Sequence, residues 1–109
     1  MSRQYHVYHL VDPLTRLVRY VGKSANPAGR LREHLRESRE RQNTDKKRWI
    51  AGLIAAGQQP VLIIVASYPA DAEARVRESA ECHAHRSSIT NLHDPAKGAA
   101  DFARQKPVP

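Results

Sequence analysis

Five residues suited to phosphate chemistry lie close together in the segment RYVGKSANPAGRLREHL. Tyr20 carries a phenol, and Gly22 follows at a position where the backbone can turn sharply and a ligand can approach closely. Lys23 comes next, and Arg30 and His34 are four residues apart, which places them on one face of a helix. A phosphodiester needs cations for its non-bridging oxygens and a group that accepts a proton from water. The segment therefore indicates chemistry on a phosphodiester.

The residues before this segment predict a β-hairpin. Residues 4–11 and 17–22 are both rich in Tyr and Val, as strands are. Between them, Asp12 followed by proline favours a turn. We expect Gly22 to end the second strand, so that the phenol of Tyr20 lies at the edge of the sheet.

Two helices are predicted after the hairpin. Asn26 and Pro27 match a helix cap followed by proline at the first helical position, and Leu31 and Leu35 should form the buried stripe of this helix. The second helix should start near Thr44 and end at a glycine about a dozen residues later.

The remaining residues complete an α+β fold. The apolar run VLIIVA at 61–66 predicts a strand buried on both faces, in the centre of the sheet. A third helix over 71–85 has mostly alanine as its apolar content and should pack weakly. We expect a domain over residues 1–98 and a mobile tail over 99–109. The fold class is then a three-stranded β-sheet flanked by helices, in the order β-β-α-α-β-α.

The charge of the chain favours a polyanion as partner. The 109 residues contain 18 Lys and Arg against 11 Asp and Glu, which gives a formal charge of +7 and a sequence pI near 10.1. The longest apolar run is too short to span a bilayer, and residues 1–10 contain no apolar core of a signal peptide. The single cysteine, Cys82, excludes an internal disulfide. These features predict a soluble, cytoplasmic protein that binds nucleic acid and no membrane.

Several motifs, in order, resemble the GIY-YIG endonuclease domain. HVY, then YVG eleven residues later, and KSANPAGRLREHL are similar to the start of that domain. KKRWIAGLIAAGQQPVLIIV resembles its second helix and central strand, EARVRE its third-helix motif, and TNLHD the segment with its asparagine. The similarity covers roughly residues 4–98. It implies a GIY-YIG nuclease fold and hydrolysis of a phosphodiester by in-line attack of water.

The resemblance also implies roles for single residues. Tyr8 would be the general base, and Tyr20 would orient the attacking water. Arg30 would bind the scissile phosphate and offset charge in the transition state. Nearby cations should lower the pKa of a catalytic tyrosine from its usual value of about 10.

The resemblance implies that Glu78 binds a divalent metal ion through its carboxylate. The expected ion is Mg²⁺, for which Mn²⁺ can substitute. Glu81, one turn further along the helix, is the rival ligand. Asn91 would brace the site or contact the phosphate. Gly22, Lys23 and His34 match supporting or phosphate-binding positions.

Three features depart from the resembled pattern or invite another interpretation. Arg16 replaces a glycine common in the hairpin turn, and SAECHAH stands where relatives place large residues that anchor the third helix. ECHAH together with His93 could suggest a zinc site, but His83 and His85 are two residues apart and should lie on different sides of a helix. We therefore interpret these histidines as solvent-facing and Cys82 as a small buried residue.

The resulting hypothesis is a metal-dependent endonuclease that hydrolyses DNA phosphodiester bonds, with RNA as a second choice of substrate. The alternative is a basic nucleic-acid-binding module of the same fold with weak or lost catalysis. The chain shows no helix-turn-helix or zinc finger, so a homodimer or a partner protein would supply any specificity.

Overall fold

The structure, a computed structural model, describes residues 3–91. The predicted domain boundary at residue 98, the tail after it and His93 lie outside these described residues. The six elements follow the predicted order β-β-α-α-β-α, and the α+β fold class is confirmed. They are β1 (Tyr5–Val11), β2 (Val18–Ser24), α1 (Pro27–Glu40), α2 (Asp45–Ala55), β3 (Val61–Tyr68) and α3 (Asp71–Ala84). Within residues 3–91, no helix has the length and apolar content needed to cross a bilayer.

The hairpin turn is organised by the side chain of Asp12. Its Oδ1 accepts hydrogen bonds from the backbone N–H groups of Leu14 (2.7 Å) and Thr15 (3.1 Å). Its Oδ2 accepts a bond of 2.9 Å from the indole N–H of Trp49, which ties the turn to α2. Arg16 adopts the left-handed conformation, with φ of 67°, that a glycine would adopt without strain.

The helix boundaries follow the predicted caps. The side chain of Asn26 accepts a bond of 3.2 Å from the N–H of Gly29, and Pro27 is the first residue of α1. The Thr44 hydroxyl accepts a bond of 3.2 Å from the N–H of Lys47 at the start of α2. Gly57, with φ of +75°, ends the turn after α2.

The position of β3 in the sheet differs from the prediction. The strand order is β2-β1-β3, so β1 is the central strand and β3 lies at an edge. Val61, Ile63 and Ile64 are 44%, 45% and 50% exposed, so β3 is not buried on both faces. An apolar run shows that a strand has apolar side chains, but it does not determine which strand it pairs with. In the structure β1 pairs with both β2 and β3, and this places β3 at the edge of the sheet.

The two faces of the sheet have different neighbours. Because side chains alternate along β1, Val7 and His9 face one side and Tyr8 and Leu10 face the other. On the first side, α3 covers the core that contains Val7 together with Val21, Ala74, Cys82 and Ile89. On the second side, Tyr8 contacts α1, which packs against α2.

The buried stripe of α1 is polar, which corrects the expectation for Leu31 and Leu35. Both leucines are only partly buried, whereas His34 and Ser38 are fully buried. The Ser38 hydroxyl donates to the carbonyl of His34 at 2.8 Å, so its polar atom is satisfied inside the helix. The helix therefore presents a histidine, and not a leucine, to the sheet.

Candidate functional site

A cleft of about 420 Å³ lies between β2, α1, α2 and α3. Each neighbouring element contributes one or more side chains to its wall. The residues that matter for chemistry are Tyr20 from β2, Glu37 from α1, Lys46 from α2, Glu78 from α3 and Asn91 after α3. A phenol, an ammonium group and two carboxylates therefore face the same space.

Tyr8 lies behind this cleft at the end of a hydrogen-bonded chain. Its hydroxyl is 3.1 Å from Nε2 of His34, and Nδ1 of His34 is 3.0 Å from Nζ of Lys46. An ammonium group can only donate, so Nδ1 of a neutral His34 accepts and its Nε2–H donates to the oxygen of Tyr8. The phenolic hydrogen of Tyr8 is consequently free to point away from His34.

Burial controls the protonation of this chain. Tyr8 and His34 are 1% and 0% exposed. Burial, with the positive charges of Lys46 and Arg30, lowers the pKa of His34 to about 3 and keeps the imidazole neutral. Burial, with the neighbouring Tyr20, raises the pKa of Tyr8, against the opposing effect of Arg30. The predicted lowering by a nearby cation is present in the effect of Arg30, but burial outweighs it and the net change in the pKa of Tyr8 is upward.

Tyr20 is held over the cleft by aromatic and cationic contacts. Its ring meets the His34 ring edge-on, with centroids 4.9 Å apart, and Lys46 Nζ lies 5.1 Å from the centroid of the Tyr20 ring.

The strand that carries Tyr20 contains a bulge. The β1–β2 register shifts between Leu10 and Val11, where β2 has one extra residue, Arg19. Burial also raises the pKa of the Tyr20 phenol.

Gly22 supports Tyr8, but not through a turn. The second strand does not end at Gly22 as predicted, because β2 continues to Ser24 and Gly22 pairs with Tyr8 across the strands. A Cβ atom at Gly22 would lie 2.4 Å from Cζ of Tyr8. The absence of a side chain therefore makes room for the Tyr8 ring.

Arg30 is close to both tyrosines and partly open to solvent. Its guanidinium contacts Glu33 at 3.0 Å and Glu37 at 3.6 Å, and 32% of the side chain is exposed. Its positive charge acts on Tyr8 and Tyr20, since it opposes the rise in the pKa of each phenol. The structure thus brings Arg30, His34 and the two tyrosines together, as the sequence predicted.

Asn91 braces β2 through both ends of its amide. Its Oδ1 accepts from the N–H of Val21 at 3.1 Å, and its Nδ2 donates to the carbonyl of Val21 at 2.7 Å. The preceding residue Thr90 bonds the carbonyl of Arg19, so residues 90 and 91 run alongside the strand that carries Tyr20. Of its two predicted roles, the structure shows the bracing; a contact with phosphate stays a prediction.

Glu78 and Glu81 lie in different surroundings. Glu78 lines the cleft, and its negative charge raises the pKa of both Tyr8 and Tyr20. Glu81 is bound by His9 at 2.8 Å and by Arg77 at 2.9 Å. Of these two carboxylates, only Glu78 faces the cleft, so it is the better placed ligand for a metal ion there.

Lys23 is separated from the other predicted site residues. It pairs with Val7, which faces α3, and its ammonium forms an ion pair of 2.6 Å with Asp71 at the start of α3. A phosphate contact by Lys23 stays a prediction, and the structure places the residue at the opposite face from Tyr8.

Lys46 is a site residue that the sequence analysis missed. It is the second residue of α2, and nothing in the spacing indicates that it reaches His34. Its contacts with His34 and Tyr20 arise only when α2 packs beside α1.

The donor set of the cleft suits a hard divalent cation. Glu78 and Glu37 offer carboxylate oxygens, the ligands that Mg²⁺ prefers, and Mg²⁺ commonly binds through one or two carboxylates and keeps several waters. Glu78 lines the cleft and acts electrostatically on both tyrosines, so it is the principal candidate ligand. The residues present therefore fit such an ion.

Comparison with protein families gives one result that covers most of the chain. The family model of the GIY-YIG catalytic domain matches residues 4–91. Comparisons with curated proteins and with solved structures gave no significant match.

Proposed function

Because the chain belongs to the GIY-YIG family of nucleases, whose substrate is nucleic acid, we propose that it is a Mg²⁺-dependent endonuclease hydrolysing DNA phosphodiester bonds. One observation carries this proposal: Tyr20, Lys46 and Glu78 come from three different elements and face one cleft. Arg30 and the buried Tyr8 lie close behind them. A formal charge of +7 favours a polyanionic substrate.

Positive side chains prepare the cleft for phosphate. The guanidinium of Arg30 can bind two non-bridging oxygens at once, and it would exchange Glu33 and Glu37 for the substrate. Lys46 adds a second positive charge at the wall of the cleft. Both charges offset the negative charge that develops on the phosphorus oxygens in the transition state.

Glu78 is the proposed metal ligand. A divalent cation held there would supply Lewis acidity to a phosphate oxygen and positive charge to the leaving group. Glu78 itself raises the pKa of both tyrosines, so neutralising its charge favours a phenolate in the cleft.

The two tyrosines have separate proposed roles. Tyr20 lines the cleft and orients the attacking water through its hydroxyl. Tyr8 is the general base, and the Nε2–H of His34 and the charge of Arg30 are the groups that favour its phenolate. Lys46 fixes the tautomer of His34 that makes this donation available.

The test is a cleavage assay on labelled DNA. Linear, nicked, flap and branched duplexes are incubated with Mg²⁺ or Mn²⁺, beside EDTA controls, with the unaltered protein, Glu78→Ala and Glu73→Ala. Glu73 is an exposed acid in the first turn of the same helix, so it is a matched control. We expect metal-dependent cleavage that falls about 100-fold or more in Glu78→Ala and persists in Glu73→Ala.

Three outcomes would contradict parts of this proposal. Cleavage that survives in Glu78→Ala would exclude Glu78 as the ligand and direct the search to Glu37. Cleavage of RNA with no cleavage of DNA would contradict the substrate. Salt-sensitive DNA binding without cleavage under any metal condition would favour the non-catalytic binding module.

A further inference from the structure

A second group of metal-ligating side chains lies on the opposite face of the sheet, between β1 and the end of α3. It consists of His9, Glu81 and His85, with one ligand atom of each within 4.8 Å of the others. Glu81 Oε1 is 2.8 Å from Nε2 of His9 and 3.8 Å from Nε2 of His85. None of the three lines the cleft that contains Glu78.

The distances between these ligand atoms are close to those found around a bound zinc ion. Nitrogen and oxygen ligands lie about 2.0–2.1 Å from zinc, so neighbouring ligands of a tetrahedral ion are about 3.3 Å apart. The two distances from Glu81 differ from this value by about 0.5 Å, and the distance between the two imidazoles differs by at most about 1.5 Å. Small side-chain rotations can provide changes of this size. The two imidazole rings already meet edge-on, with centroids 4.9 Å apart.

Arg77 orients the carboxylate of Glu81 in this group. The Nε of Arg77 donates to Glu81 Oε2 at 2.9 Å, so Oε1 is the oxygen that faces the two imidazoles. Arg77 is itself held by a bond of 3.4 Å to the hydroxyl of Tyr68 on β3. Groups that fix one oxygen of a ligating carboxylate in this way are typical of metal sites in proteins.

We propose that His9, Glu81 and His85 bind a divalent transition-metal ion such as Zn²⁺, separate from the hard-cation site at Glu78. Two imidazoles and one carboxylate favour such an ion over Mg²⁺, which prefers oxygen ligands. A water molecule would complete the tetrahedron, since three protein ligands leave one position open. This site is independent of the proposed nuclease activity.

The ion would fasten α3 to the central strand. The helix has only small side chains fully buried in the described core, Ala74 and Cys82, and its N-cap Ala70 makes no side-chain cap bond. Large anchoring residues, which the sequence lacks after Glu78, would otherwise hold this end of the helix. An ion bound by His9 of β1, by Glu81 of α3 and by His85, the residue that follows α3, supplies that connection.

The experiment measures binding directly, with untagged protein stripped of metal. Co²⁺ is titrated while its d–d absorbance is followed, Zn²⁺ is titrated by calorimetry, and Tm is recorded with and without Zn²⁺. We expect one equivalent of ion with a tetrahedral Co²⁺ spectrum, a rise in Tm, and no displacement by excess Mg²⁺.

Two variants and a matched control assign the ligands. His85→Ala and Glu81→Gln should weaken binding at least tenfold and remove the Tm rise, while circular dichroism confirms folding. His83→Ala changes an exposed histidine two residues from His85 and should bind as the unaltered protein does. Glu78→Ala should also bind normally. The proposal is overturned if no ion binds, or if binding is unchanged in both His85→Ala and Glu81→Gln.

Discussion

The ring of Tyr8 lies directly against the backbone of Gly22 on the neighbouring strand. A Cβ atom at Gly22 would lie 2.4 Å from Cζ and 2.5 Å from the hydroxyl oxygen of Tyr8, far inside van der Waals contact. The glycine therefore determines where the phenol lies, and with it the hydrogen bond from His34. This explains why a glycine occupies a strand interior, where it is otherwise unfavourable.

Gly22→Ala should displace Tyr8 and reduce both stability and activity. The added methyl cannot be accommodated without moving a ring that is 1% exposed, so we expect a loss of about 1–3 kcal/mol in the free energy of unfolding. Urea unfolding and the cleavage assay measure the two effects. Gly52→Ala is the matched control: no atom lies within 4 Å of its new Cβ, and it should stabilise α2 by about 1 kcal/mol. Equal effects of both variants would contradict the explanation.

The protein should lose stability in mild acid because of His34. Its pKa is about 3 in the folded state, against about 6.5 when unfolded, so the unfolded chain binds more protons between these values. Stability is therefore full above pH 6.5 and falls as the pH decreases toward 3, by about 2 kcal/mol at pH 5.

Urea unfolding at pH 7 and pH 5 checks this prediction in the unaltered protein and in His34→Gln. The variant should lose about 2 kcal/mol less on acidification, since it carries no titrating group at that position. Burial also lowers the pKa of His9, and that contribution remains in both proteins. An identical pH dependence in the two proteins would show that His34 is not buried as a neutral base.

Arg30→Lys should impair catalysis with little effect on folding. Lysine keeps the charge but loses the planar fork that binds two phosphate oxygens, so we expect cleavage to fall about 10- to 100-fold. The ion pairs of Arg30 are partly exposed, and their loss should change stability by less than about 1 kcal/mol. Arg32→Lys, on an exposed residue of the same helix, should leave cleavage nearly unchanged. A similar loss in both variants would indicate only a general effect of surface charge.

Asn91→Ala should destabilise β2 by about 2–3 kcal/mol. The change removes two buried hydrogen bonds and leaves the N–H and the carbonyl of Val21 without these partners. Thr90→Val is a suitable control, because the carbonyl of Arg19 keeps its bond from the Thr90 backbone N–H. Thermal unfolding of both variants compares them. A cost of Asn91→Ala below that of Thr90→Val would contradict the bracing role.

The cleavage rate should rise with pH through the neutral and mildly alkaline range. The pKa of Tyr8 is raised by burial, so only a small fraction is phenolate at neutral pH and the active fraction grows about tenfold per pH unit. A pH profile of kcat/KM at fixed metal concentration measures this. Lys46→Met should lower the rate across the range, because the donation from Lys46 that sets the tautomer of His34 is lost. A plateau at pH 6 to 9 in the unaltered protein would exclude Tyr8 as the rate-determining base.

Local patterns in the sequence were sufficient for the order of the elements and for the starts of α1 and α2. Asn26 and Thr44 cap helices because their side chains bond backbone N–H groups only three residues away. The spacing of Arg30 and His34 likewise predicted that they share one helix face, and the resemblance to the GIY-YIG domain implied that Tyr8 and Tyr20 belong to the same site. Such contacts depend on the dihedral angles of a few neighbouring residues, and the types of those residues can be recognised in the sequence.

Other features were decided only by packing over long distances along the chain. The choice of β1 as the central strand, the extra residue Arg19 in β2 and the burial of His34 in place of Leu35 depend on which surfaces meet. Lys46 joins His34 across the contact of α1 with α2, and Glu81 reaches His9 although 72 residues separate them. Such pairs form because the whole core has its lowest free energy when these surfaces meet. No short stretch of sequence contributes enough of that free energy to specify a pair alone.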